Sequence, residues 1–357
     1  MSPIYLGNTE VSKVYKGTTE VSQAYLGTNT MLATGPTGTD HFSAITYVGD
    51  RPTNSGKTGM GFRPDLVIIK GRSFSDHWSV LDSTRGANVL GTNLTDQQSS
   101  FSGFSFDSDG FTVGSSGQAN SNGETHIGWG WKATAGNTTS NSNGSITSTV
   151  QANTTAGFSI VTYTGDGNNG TVGHGLDSAP EIVITKATSR TSNWSVSGTV
   201  AGLIPGTNKL TLNGTGAISN DSNEVLAITS TTFTAGASSA VGMNNENFVA
   251  YCFHSVAGYQ KFGSYSGTGS SLEVTVGFQP RFVVIRRVDS GDRWLIVDTF
   301  RGGNTNNDSF LDFQDTLSER NMNAINGLTF NSNSFTVNTT DGALNNSSGT
   351  YFYWAIA

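Results

Sequence analysis

Charge is scarce in this chain. Asp, Glu, Lys and Arg make up 13% of its 357 residues, roughly half the ~25% of an ordinary globular protein. Ser, Thr, Asn and Gly fill the difference, and so many turn formers argue against helices. Cysteine is nearly absent. Cys252 stands alone, which excludes a disulfide within the chain, and no Cys/His cluster has zinc spacing. Long apolar runs are missing, with none near the ~18 residues of a membrane-spanning helix. The start MSPIYLGNTE has neither the basic nor the apolar stretch of a secretory leader. A net charge of −7, without a basic stripe, disfavours nucleic-acid binding. No cofactor, nucleic-acid partner or membrane insertion is expected.

What is present is β-branched and aromatic, in short runs between Gly, Asn and Ser clusters, the pattern of an all-β chain. One signature occurs three times. A proline precedes an apolar run, and a tryptophan follows at constant spacing: Pro64 to Trp78, Pro180 to Trp194 and Pro280 to Trp294. Upstream of each lies a tyrosine (Tyr47, Tyr163, Tyr265). Downstream come a phenylalanine (Phe111, Phe233, Phe335) and a closing aromatic segment, HIGWGW, FVAYCF or YFYWAI. Internal repeats of this kind predict one structural unit used three times. Runs such as LVIIK and RFVVIR predict strands buried on both faces. About 95 residues per repeat suits a β-sandwich.

The fold class is therefore all-β, with three tandem β-sandwich domains of jelly-roll or lectin-like type after a short N-terminal β element. The repeats span residues 40–133, 157–256 and 257–357. Residues 134–156 are almost all small and polar and read as a linker or extended arm. Repeats two and three follow each other directly, which predicts a stiff junction and a rod. Helix is expected to be minor, with 315–325 the best candidate. Within residues 1–32 a ten-residue unit recurs, aligning Tyr5, Tyr15 and Tyr25, Gly7, Gly17 and Gly27, and Val11, Val21 and Met31. Two apolar residues per ten cannot make a core alone, so these units must stack on each other, on another chain or on a partner protein.

Chemistry is hard to find in the sequence. GDGNNG (165–170) matches G-x-G-x-x-G, but no helix follows to hold a pyrophosphate, and a hairpin loop is the better reading. DSDGF (107–111) lacks the remaining ligands of a calcium loop and reads as an Asp-Gly turn. The histidines His41, His77, His126, His174 and His254 share no repeat position that would build a general acid or base. Asp82 with Arg85, and Asp298 with Arg301, recur in repeats one and three, whereas Gly198 stands in repeat two. An Arg–Asp brace is the favoured reading over a binding site. The repeat tryptophans suit either a core or a carbohydrate platform. Trp129 and Trp131 are two apart and face the same way.

FSIVTYTG, VGHGL, the Pro-led run, the Trp strand and FVAYCF, with the phrase SNGSITSTVQANTTAGFSIVTY, resemble the repeated β domains of marine phage virion proteins, cyanobacterial phages above all. The unit IYLGNTEVSKVYKG resembles the N-terminal attachment segment of phage tail proteins. The resemblance implies a virion component on the phage tail: a noncatalytic tail fibre subunit, homotrimeric, docking to a tail or capsid protein through residues 1–32 and recognising a host surface glycan or lipopolysaccharide. Tyr5, Val11, Tyr15, Val21 and Tyr25 are the expected attachment residues, and Trp294 and Trp354 the candidate glycan contacts. The rival is a structural capsid fibre or decoration protein without receptor binding. A polysaccharide depolymerase would need two carboxylates about 5–10 Å apart, and no recurrent pair offers itself.

Overall fold

The computed structural model describes residues 5–6, 9–10, 15–16, 19–20, 23–26, 29–33, 38–301, 309–321 and 327–357. Nearly all regular structure in them is antiparallel β. The helices are single turns, Gly38–His41, Gly117–Asn120, Thr299–Arg301 and Gly342–Asn345. Helix is not found where 315–325 is described: 315–319 is irregular, and Arg320–Asn321 pairs as a strand with Ser309–Asp312. The carbonyls of Asp315 and Thr316, which a helix would use internally, accept instead from Trp78 and Lys70 of the first repeat. Residues 322–325 lie outside the described set.

Each repeat lays an inner sheet over a three-stranded outer sheet. The inner sheets share one strand order. In repeat one the tyrosine strand Phe42–Val48 borders the closing strand Thr125–Trp131, then the proline strand Leu66–Gly71, then the tryptophan strand Ser79–Asp82. The same order runs Phe158–Thr164, Asn247–Phe253, Ile182–Ala187 and Ser195–Gly198 in repeat two. In repeat three it runs Gln260–Ser266, Thr350–Ile356, Phe282–Arg287 and Trp294–Asp298. The phenylalanine strand is the middle strand of every outer sheet. Phe111, Phe233 and Phe335 are fully buried between the two layers.

Alternation along the inner strands divides the apolar residues between two cores. In repeat one Val67 and Ile69 face the sandwich core, while Leu66, Ile68, Trp129 and Trp131 face the other way. This is why the proline-strand runs are apolar on both faces. The second face of all three inner sheets contributes to one shared core, which also holds Phe158, Trp194, Tyr251, Phe253, Phe282, Trp294 and Trp354. The repeats therefore close into a ring, and the expected rod is not found. An inner sheet covered on only one side would leave tryptophans in water, and three such faces meeting on one axis cover each other. The axial core retains about 50 Å3 of wholly apolar space. That is well below the ~150 Å3 of a cavity known to admit benzene, so the axis is packing and not a ligand chamber.

The segment read as a linker or extended arm is partly built into the fold, as an arm on the second repeat. Ser148–Asn153 adds to the free edge of the second tyrosine strand, with Thr149 opposite Thr162, and Thr139–Asn141 adds outside it. Val150 enters the second sandwich core, and buried Gln151 bonds Ser83 and Thr84 of the first repeat. Composition hid these two anchors among small polar residues. In the N-terminal decads the described backbone forms three hairpins, pairing Tyr5 with Glu10, Tyr15 with Glu20, and Tyr25 with Thr30.

Candidate functional site at the seams between repeats

Chemistry-bearing side chains collect where one repeat meets the next, on a common plan. Each repeat tryptophan donates its indole N–H across a seam: Trp194 to the Gly91 carbonyl at 2.8 Å, Trp294 to Thr211 at 2.9 Å, and Trp78 to Asp315 at 3.0 Å. The ring thus closes from two to one, three to two, and one to three. The cation next to last in each proline strand crosses the same seam. Lys186 donates to the Thr95 carbonyl at 3.1 Å, Lys70 to Thr316 at 3.2 Å, and Arg286 to Gly216. A backbone N–H completes the plan: Gln98 to Thr188 at 3.0 Å, Ile218 to Val288 at 2.9 Å, and Glu319 to Arg72 at 2.8 Å.

Lys70, Lys186 and Arg286 are fully buried. Burial lowers both lysines to about 8 and Arg286 to about 10, because a charged group loses hydration there. Amines of this kind can be nucleophilic, but these are sealed and spent on carbonyls. Two seams add a carboxylate brace. Asp82 holds Arg85 Nε at 2.6 Å and accepts the Tyr251 hydroxyl of repeat two at 2.7 Å. Asp298 holds Arg301 Nε at 2.8 Å and accepts the Trp129 indole of repeat one at 3.1 Å. Glu319 joins Arg301 and forms a bidentate pair with Arg72. The seam of repeats two and three lacks this brace. At Gly198 an added Cβ would lie 2.3 Å from the Glu181 carbonyl, which leaves no room for an aspartate.

Several sequence-level candidates take up structural roles. Trp294 and Trp354, expected as glycan contacts, are 3% and 6% exposed inside the shared core. Neither presents a ring face to a ligand, because both occupy the inner-sheet face that the neighbouring repeats cover. Tyr5, Tyr15 and Tyr25 lie at matching places in the hairpins, and Val11 and Val21 lie outside the described residues. In GDGNNG the Asp166 carboxylate accepts from the N–H groups of Asn168 and Gly170, a self-contained loop. Asp107 and Gly110 close a hairpin. His126 is buried against Tyr47 and lowered to about 4 by that burial. Among the described residues no three His, Cys, Asp or Glu side chains converge as a metal site.

The residues that sequence reasoning missed are the buried cations and the carbonyl-to-strand contacts. Their signal was available, since Lys70, Lys186 and Arg286 align once the proline strands are superposed. A buried cation at a fixed repeat position needs an acceptor, and no acid recurs beside it.

Residues 37–357 match the family described as a domain of unknown function, DUF7483. No curated protein matches the chain.

Proposed function

We propose that this chain, which belongs to the DUF7483 family, is a noncatalytic subunit of a phage tail fibre. It docks on the virion through residues 1–32 and presents its three-repeat body to the host surface. The observation that carries the reading is the division of the chain. Three repeated hairpins, each too small for a core, precede a body whose own core is closed. The hairpins need a partner and the body does not. Homotrimerisation and docking to a tail or capsid protein are accordingly assigned to the hairpins, through strand addition or interchain winding. The buried cations and carboxylates act as seam fasteners, in keeping with a binding or structural role.

Cryo-electron microscopy of the intact particle tests this. Density at the tail, with residues 1–32 held by a tail protein and the ring facing outward, is the expected result. Density on the capsid shell, with the ring packed among neighbours, would replace it with the capsid fibre or decoration reading.

A further inference from the structure

The three seams differ at one equivalent place. Between repeats three and one it is filled by the Arg72–Glu319 ion pair, with bonds of 2.8 and 2.9 Å. Between repeats two and three it is apolar, with Ile218 against Val288 in the shared core. Between repeats one and two the corresponding residues are Gln98 and Thr188, and a polar groove of about 360 Å3 opens there. The strand Ser148–Asn153 widens this inner sheet on that side.

The groove floor is a patterned array. Thr149 lies opposite Thr162, and Thr164 opposite Asn247, with Thr147 two residues before Thr149 on the same face. Strand spacing sets neighbouring hydroxyls about 5 Å apart across the sheet. Thr147, Thr149 and Thr164 are exposed and Thr162 is half-buried. Two amides are held in place: Gln98 by the bond from Arg85 to its carbonyl, and Asn247 by the bond from Thr164 to its own. Each keeps its NH2 group as a donor. Arg85 is the guanidinium in the wall, and its five N–H groups are directed at Asp82, Asn88, Gln98, Val80 and Tyr251. An anion would find no spare charge there. Oriented amides and hydroxyls without free charge match the hydroxyls of a sugar, and a domain seam of this volume is a common ligand position.

We propose that the groove between the first and second repeats binds an uncharged glycan. The inference rests on the host-recognition part of the function proposed above. The full chain is applied to an array of immobilised neutral and acidic glycans, and the strongest neutral oligosaccharide is titrated by saturation-transfer NMR. The variant T149V/T162V keeps the strand-favouring shape and deletes two hydroxyls. It is expected to bind at least about tenfold more weakly with an unchanged melting temperature. S264A/S266A, altering the exposed repeat-three counterparts of Thr162 and Thr164, is expected to bind as the parent does. An array bound only through acidic glycans, a blank array, or full binding by T149V/T162V would each overturn the inference. A chain that blocks adsorption of the particle to its host while the array stays blank would sink the glycan groove and leave the attachment reading standing. Tail-less density in the particle would do the reverse.

Discussion

Tyr47, Tyr163 and Tyr265 make one hydrogen bond three times over. Each phenol donates to a carbonyl in the turn before the closing strand: Ala119 at 2.7 Å, Val241 at 2.6 Å and Leu344 at 2.7 Å. This explains why the tyrosine recurs where a phenylalanine would pack as well. Replacing Tyr163 by Phe keeps the ring against Phe233 and Phe248 and leaves the Val241 carbonyl without its donor. The expected loss is about 1–2 kcal/mol of unfolding free energy, read as a lower urea midpoint with unchanged slope. An unchanged midpoint would mean that water replaces the phenol.

The buried lysines make a second residue-scale prediction, in pH. Lys70 and Lys186 sit near 8 in the fold and near 10.4 when unfolded. Below 8 both states are charged and the lysines add no pH dependence. From 8 upward the folded protein sheds protons that the unfolded chain keeps, so this contribution to stability rises with pH. Cys252, raised to about 12, and the buried Tyr163 and Tyr251 act in the opposite sense once their unfolded forms ionise. The lysines' share is therefore read as a difference between variant and parent. The stability of K70M/K186M relative to the parent should be highest below pH 8 and fall as the pH rises towards 10. A gap that is constant with pH would show both amines charged throughout.

At the scale of elements, the sequence and the structure agree where a pattern repeats and part where a single copy departs from it. Three proline strands aligned at once, and their unbroken apolar runs announced burial on both faces. The segment 134–156 had no counterpart to align with, so its Ser/Thr/Asn content outweighed Val150 and Gln151. The strand it forms should make it resistant to proteinase K under native conditions, with first cuts elsewhere. Rapid cleavage within 139–153 would mean that the edge strand opens readily. The seam groove was illegible for a different reason. Its threonines are unremarkable in a threonine-rich chain, and only pairing of strands from separate segments brings them together. A complementary case is Gly128, between the core-facing Ile127 and Trp129. An added Cβ would stand 2.5 Å from the Phe111 ring, so Gly128→Ala is expected to cost about 1–3 kcal/mol by overpacking, measured by urea unfolding.

At the scale of the whole molecule, the shared core decides how the protein unfolds. Removing one repeat would expose Trp194, Tyr251 and Phe253, or their counterparts, and would break the indole and cation bonds of two seams at once. A fully buried large apolar side chain contributes about 1.5–3 kcal/mol, and several per face exceed the ~5–15 kcal/mol by which a domain of this kind is stable. No repeat should therefore melt alone. Calorimetry of residues 38–357 is expected to give a single transition whose calorimetric and van't Hoff enthalpies agree. Three beads on a rod would give separable transitions, and a van't Hoff enthalpy near one third of the calorimetric value would refute the cooperative ring. The seam between repeats two and three, without an Asp–Arg brace, is where any early opening should begin. Hydrogen exchange should then be faster at Ile218, whose N–H crosses that seam, than at Gln98 or Glu319, whose N–H groups make the equivalent bonds at the braced seams.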